Sequence, residues 1–338
     1  MVRPATSSGS IGLILPTLVQ DTETPWAPVP VDSGADRHQA TPADPLSRLS
    51  ELCRRVEALG VDALWACDHL FWHGPSLEAM VALTVAATAT AEVTLGTSVI
   101  QLPLRKTAVV AKQAATLQLL SGGRFVLGVG VGSHAGEYEQ AGSDFHARGR
   151  QLDAGIVELR QMWASGHGVT AGDTRPDATA ADRYRQLPAP PTVPVWVGGS
   201  SEAALRRAAR LADGWMPFFL DLENYQGALE RLAKEVDRAG RPSDAVTPAM
   251  VLFVSVDDDP VVAEARGTAW MSSLYAIPAK AFRRHLVSGS AHQVAEVVAA
   301  YRRAGAAHVA VYVTADQPLE QFERLSGALA AVGAPTSA

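Results

Sequence analysis

Short apolar runs recur along the chain, and between them apolar residues return at helical spacing. Val93–Leu102 is β-branched and too continuous for a half-exposed edge strand. Val109, Val110, Ala114, Leu117 and Leu120 then share a helical face between Thr107 and Leu120. Phe125–Val131 is a second buried strand. Strand, helix and strand within about forty residues make a βαβ unit, which requires a parallel sheet.

The same alternation extends in both directions. Ile11–Leu15, Ala63–Cys67, Pro194–Val197, Gly214–Phe219, Met250–Val256 and His308–Val313 read as strands. Leu46–Leu59, a helix capped by Ser76 and running to Ala91, His146–Trp163, Glu202–Leu211, Leu222–Ala239, Ala291–Ala304 and Leu319–Val332 read as helices. Eight strands alternating with eight helices predict a single (β/α)₈ TIM barrel over residues 1–338; a doubly wound open sheet is the alternative. Excursions interrupt the alternation at about 19–45, 164–194 and 257–290, the last expected to add a helix over the barrel mouth. No sequence repeat of 20–50 residues is evident.

Composition narrows the class. The 338 residues are 47% hydrophobic and carry a net charge of −6. With no basic run, nucleic acid is not an expected partner. No apolar stretch reaches the roughly 18 residues needed to span a bilayer, so no membrane partner is expected. The N-terminal MVRPATSSGS lacks a following apolar signal core. Cys53 and Cys67 form no metal motif, and a reducing cytoplasm is the expected compartment.

Chemistry-bearing residues cluster toward the carboxyl ends of strands, where parallel barrels build their sites. Ser98, Gln101 and Arg105 accompany strand three; Gly130, Gly132, Ser133 and His134 leave strand four. Asp68-His69 follows strand two: an imidazole there can exchange a proton near neutral pH, with Asp68 orienting it or contacting a ligand. The alternative is a capping aspartate beside a packed histidine. Gly198-Gly199-Ser200-Ser201 feeds a helix N-terminus that would favour an anion, provided Glu202 points away. Two glycine loops at one mouth fit a phosphate-bearing cofactor better than either alone. Trp72, His73, His134, Glu137 and Tyr138 are candidates to face substrate. Trp215 or Phe218 belongs to the core. Ser121–Arg124 and His308 sit at the opposite face and are read as structural, with Gly122 as a helix cap. Histidines and carboxylates show no metal-ligand spacing, so no metal is expected.

The segments ACDHLFW, LGTSVIQLPLRKTAVVAKQAATLQLLSGGRFVLGVGVG and VPVWVGGSSEAALRRAARLADGW resemble the luciferase-like flavin oxidoreductases. The likeness is greatest to the actinobacterial branch that uses the deazaflavin coenzyme F420, and is strong over roughly residues 46–220. It implies that Asp68 and His69 lie beside the flavin ring, with His69 transferring a proton. Ser98-Val99 would form a cis-peptide bulge behind the ring. Val131, Gly132, Gly198, Gly199 and Ser200 would hold the cofactor. A homodimer is implied as well. Sugar-phosphate dehydrogenases of the family carry a glutamate where this chain has Ser133, and their phosphate-binding lysines have no match at 171–290; a sugar phosphate is therefore not the expected substrate.

Three readings follow. The first is an F420-dependent oxidoreductase moving a hydride between the deazaflavin and a small organic substrate, the protein supplying orientation and electrostatics. The second keeps the fold but uses reduced FMN and dioxygen, as a monooxygenase. The third is a non-catalytic flavin-binding protein, against which the intact Asp68-His69 pair beside both glycine loops argues.

Overall fold

In the computed structural model, which describes residues 9–17, 45–72, 74–165, 192–315 and 318–333, the chain forms a closed parallel barrel. The expected excursions at 19–45 and 164–194 lie almost wholly outside the described residues, and so does His73. The first half comprises β1 (Ser10–Ile14), α1 (Pro45–Ala58), β2 (Ala63–Ala66), α2 (Ala79–Ala89), β3 (Thr94–Thr97), β4 (Ile100–Gln101), α3 (Thr107–Leu120) and β5 (Phe125–Gly130). Next come α4 (Ala135–Gln140), α5 (Arg148–Ser165), β6 (Val195–Gly198), α6 (Glu202–Leu211), β7 (Gly214–Met216), α7 (Leu222–Arg238) and β8 (Thr247–Val256). The last elements are α8 (Pro260–Tyr275), β9 (Leu286–Gly289), α9 (Ala291–Arg303), β10 (His308–Val313) and α10 (Pro318–Gly333). Around the barrel the strands run β1, β2, β3, β5, β6, β7, β8, β10, all parallel, and β10 pairs with both β8 and β1 to close the ring.

Several boundaries differ from the sequence reading for local reasons. The run Val93–Leu102 breaks at a cis Ser98–Val99 peptide, which separates β3 from β4. Helix α2 is capped by Glu78 instead of Ser76; the Glu78 carboxylate accepts from Val81 N at 2.8 Å. The expected His146–Trp163 helix starts at Arg148, and the separate short helix α4 precedes it. Strand β7 stops at Met216, because Pro217 has no N–H to continue the ladder. Trp215 is the core residue of the expected pair, stacked on Tyr225 at 5.7 Å, while Phe218 is 41% exposed. In the 257–290 excursion the expected helix is α8. The short β9 pairs with the end of β8, Phe253 opposite Leu286.

Alternation along the strands divides the core in two. Outward residues such as Leu64, Leu95, Leu127, Val197 and Val311 pack under the helices. Inward residues Trp65, Val126, Trp196, Met216, Phe253 and Tyr312 fill the barrel. Trp65 and Trp196 lie 5.2 Å apart by centroid. Space for Trp65 comes from Gly96 on the next strand, where a Cβ would fall 2.2 Å from its ring. At the amino-terminal face Arg124 is 6% exposed and donates to the carbonyls of Ala87, Thr90, Val93 and Ser121. The Ser121–Arg124 loop thus ties α2, α3 and β3 together, with Ser121 as the cap and Gly122 following it at φ 68°.

His308 is buried at the same end. Trp65 Nε1 donates to His308 Nε2 at 2.9 Å, so that nitrogen carries no proton. The Nδ1 proton points to Ser10 Oγ at 2.7 Å. Both partners are neutral, and burial lowers the imidazole pKa from 6.5 to about 3. The unfolded chain therefore binds a proton that the native state refuses. The stability involved is complete above pH 6.5 and is lost as pH falls through this window toward 3. His308→Gln preserves an acceptor and a donor but does not titrate. We expect urea-unfolding free energies of the wild type to fall more steeply below pH 6.5 than those of the variant, by up to about 1.4 kcal/mol per pH unit. Parallel curves would show that His308 is not held neutral.

Candidate active site

Three strand ends converge on one buried carboxylate. Beyond β2 the chain turns through Cys67, Asp68 and His69. Beyond β5 it passes Val131, Gly132, Ser133 and His134 into α4, which carries Glu137, 4% exposed. Helix α4 is held back against the strand end because Tyr138 OH donates to the Val131 carbonyl. Glu137 Oε1 accepts from Leu70 N at 2.7 Å and Phe71 N at 3.3 Å. Glu137 Oε2 lies 2.9 Å from Gln101 Nε2 and 3.0 Å from His69 Nδ1. Burial by itself would raise this carboxyl, but the bonds from His69, Gln101 and Phe71 outweigh it and hold Glu137 below the ordinary carboxylate value.

That arrangement assigns the protons. An ionised Glu137 makes Nδ1 the protonated nitrogen of the neutral His69 ring. Gln101 Nε2 sends its two hydrogens to Glu137 Oε2 and to the Asp68 carbonyl at 3.1 Å. Its 3.2 Å approach to His69 Nδ1 is then a contact between donors. The amide orientation is fixed, and Gln101 Oε1 is left buried without a partner. It lies against Gly132, where a Cβ would fall 1.9 Å from it.

Asp68 does not orient the His69 ring, contrary to one sequence-based expectation. It is 3% exposed, accepts from Gln101 N at 3.1 Å, and is gripped by Arg105 (Nη2–Oδ1 2.5 Å). Burial raises its carboxyl while the Arg105 guanidinium pulls the other way. Arg105 also meets Glu78 at 3.0 Å, so this chain of charges anchors the β2 loop to the cap of α2.

The remaining predicted residues divide between two places. Trp72 stacks near His69 at 3.9 Å by centroid and meets His134 edge-on at 4.9 Å. Ser98 and Val99 are half-buried at the cis peptide. The Val99 side chain occupies space left by Gly128, Gly130 and Gly198, where an added Cβ would come within 3.5 Å or less of it. Gly199 has φ 101°, its carbonyl accepts from Trp215 Nε1 at 2.9 Å, and Ser200 is exposed. Ser201 caps α6. Glu202 is ion-paired with Arg231 at 3.0 Å, which directs its carboxylate to α7.

His69, His134 and Glu137 each offer an atom within 4.8 Å of the others, a grouping that sequence spacing hides. The two Glu137 oxygens already accept four hydrogen bonds, which accounts for the carboxylate without a metal.

A parallel barrel with its reactive side chains gathered at the carboxyl end of the strands is an enzyme-bearing architecture. Residues 28–275 match the luciferase-like monooxygenase family model, and the chain belongs to that family. An uncharacterised protein of Mycobacterium tuberculosis is 34% identical over 187 residues, 54% of this chain; the match spans 61% of the relative's length, less than two thirds. The F420-dependent glucose-6-phosphate dehydrogenase of Kineococcus radiotolerans is 29% identical over 237 residues, 66% of this chain and 68% of that protein. The solved structure of an F420-dependent secondary alcohol dehydrogenase with an F420–acetone adduct shares the fold, with TM-score 0.74 at 19% identity over 95% of this chain and 99% of the other.

Replacing Glu137 with Gln places an amide N–H against donors on one side or the other. We expect Glu137→Gln to lose about 1.5–3 kcal/mol at pH 7. The gap to wild type should close on acidification, because a protonated glutamate meets the same conflict. Urea unfolding at pH 7 and at a series of pH values from 4.5 downward measures both, since the contribution is lost as pH falls from the ordinary value of 4.5 through the lower native one; equal stability at pH 7 would show that the carboxylate does not hold the loops.

Proposed function

We propose that the protein is a coenzyme F420-dependent oxidoreductase acting on a small organic molecule. The observation that carries this reading is the His69–Glu137 pair beside two glycine-lined loops at one barrel mouth. The residues suit a flat, phosphate-bearing group. Gly132 and Gly199 both have positive φ, at 68° and 101°, and expose backbone where a side chain would intrude. With Glu202 turned to Arg231, the N-terminus of α6 favours an anion. Val131, Gly132, Gly198, Gly199 and Ser200 would hold the phosphate side. Ser98, Val99 and Asp68 would back the ring, and Gln101 Oε1 is an acceptor available to it. The matched relative from Kineococcus radiotolerans is F420-dependent.

When bound, the deazaflavin supplies hydride exchange. His69 would give or take the accompanying proton through Nε2, while Glu137 stabilises the charge that appears on the ring when Nε2 is protonated. In reduction a carbonyl carbon gains the hydride and its oxygen the proton; oxidation of an alcohol reverses both. Asp68 and Arg105 keep the loop that carries His69 in place.

The test is a pair of titrations. Deazaflavin should bind in the low-micromolar range or tighter and FMN at least about tenfold more weakly, a gap of about 1.4 kcal/mol. Turnover on a panel of alcohols and carbonyl compounds should persist without dioxygen. His69→Ala should keep the deazaflavin affinity and lower turnover by roughly 10²–10⁴. Tighter FMN binding with dioxygen-dependent turnover would favour the monooxygenase reading, and tight binding with no turnover the non-catalytic one.

We further propose a homodimer through α2 and α3. Their outer faces enclose a groove of about 470 Å³ that includes the exposed Val81, Val109 and Leu120. A face bearing both apolar projections and a groove can complement itself across a two-fold axis. Sedimentation velocity should give a dimer for the wild type and a monomer for Val81→Lys/Val109→Lys. A wild-type monomer at micromolar concentration would remove the proposal.

A further inference from the structure

Beside His69 the barrel mouth carries a run of rings that the proton chemistry does not use. Tyr275, at the end of α8, meets Trp72 edge-on with centroids 6.2 Å apart. Phe219, after β7, lies 5.8 Å from Tyr275 and stacks on the buried Phe253 at 5.0 Å and 18°. Trp72, Phe219 and Tyr275 are each half-buried. They come from three segments far apart in sequence, and each backs onto the barrel-filling core.

Two further observations point to a ligand. Phe219 has φ 60°, a backbone conformation unfavourable for a bulky side chain, and it turns this ring into the wall. Around the wall stand Phe71 at 48% exposure, Phe218 at 41% and Ile277 at 45%, on the loops after β2, β7 and α8. Exposed apolar side chains grouped beside partly exposed aromatic residues mark a place where apolar matter binds. Two of the neighbouring cations are already paired with carboxylates. Arg105 lies between Asp68 and Glu78, Arg283 pairs with Glu264, and Arg284 donates to His285.

We propose that the mouth takes a neutral, apolar, ring-bearing substrate, gripped by Trp72, Phe219 and Tyr275 beside His69, in place of an anionic sugar phosphate. Stacking and edge-on contacts with the rings would orient a flat molecule and leave its carbonyl or hydroxyl to His69. The proposal rests on the reading of His69 as the proton-exchanging residue, and its test is independent of turnover.

The probe is 6-propionyl-2-(dimethylamino)naphthalene, a neutral aromatic ketone whose emission shifts to the blue when it leaves water. It should bind the wild-type protein saturably and resist displacement by millimolar glucose 6-phosphate. Phe219→Gly removes the ring and relaxes a positive-φ position, so the barrel should fold, and affinity for the probe should fall by at least about tenfold. Tyr275→Gln should weaken binding independently, with circular dichroism as the folding control. Absence of binding, unchanged affinity in both variants, or displacement by glucose 6-phosphate would each overturn the proposal. Deazaflavin titration of the same samples keeps the two readings apart. Lost probe binding with intact deazaflavin binding removes only the substrate class. Probe binding without deazaflavin binding removes only the oxidoreductase reading.

Discussion

The barrel mouth is organised by one buried anion. Glu137 sits on a six-residue helix that could not hold its place alone. Its two oxygens accept from the backbone of Leu70 and Phe71, the amide of Gln101 and the ring of His69. One carboxylate therefore joins the loop after β2, the end of β4 and the helix after β5. An ionised carboxylate is expensive to bury unless its lone pairs are filled. The same four donors that meet this demand fix the position of His69, so the requirement of stability and that of geometry are met by one set of contacts.

A second buried charge, Asp68, does different work. Its partners are a guanidinium and a backbone N–H, and Arg105 passes the connection to Glu78 at the start of α2. No ring nitrogen touches it. Of two acidic residues at the mouth, the one adjacent to His69 in sequence anchors the loop, and the one 68 positions away orients the imidazole. The hydrogen-bond partners decide this division, and proximity along the chain misleads.

That contrast also explains what was legible in the sequence. Element type and order follow from apolar periodicity, a property of consecutive residues, and the barrel was accordingly readable. So were the position of His69 beyond β2 and the two glycine loops, because the carboxyl-end rule acts on strand ends. The Glu137 pairing was not readable, since it depends on how a short helix folds back over a neighbouring strand. Its signal was present but weak: a glutamate followed by a tyrosine that could tie the helix to Val131. Strand β9 escaped because Leu-Val-Ser-Gly is too short to show a period. The cap of α2 is Glu78 and not Ser76 because the helix begins only at Ala79, where the Glu78 carboxylate reaches Val81 N.

His308 and His69 show two environments for one side chain in the same barrel. His308 has both nitrogens occupied by neutral groups, an indole donor and a serine hydroxyl, and lies where no counter-charge can reach it. A proton there would stand uncompensated in an apolar interior, so the ring stays neutral over the physiological range. His69 has one nitrogen bonded to a carboxylate and the other without a partner among the described residues, on a side chain with 16% of its surface open. A proton arriving at its Nε2 creates a cation beside an existing anion, and a proton leaving restores the neutral ring. Burial without an ion holds His308 neutral, whereas His69 is only partly buried and lies against an ion. The barrel places the first kind at its amino-terminal end and the second at its carboxyl end, on the side where the glycine loops and the aromatic rings also lie.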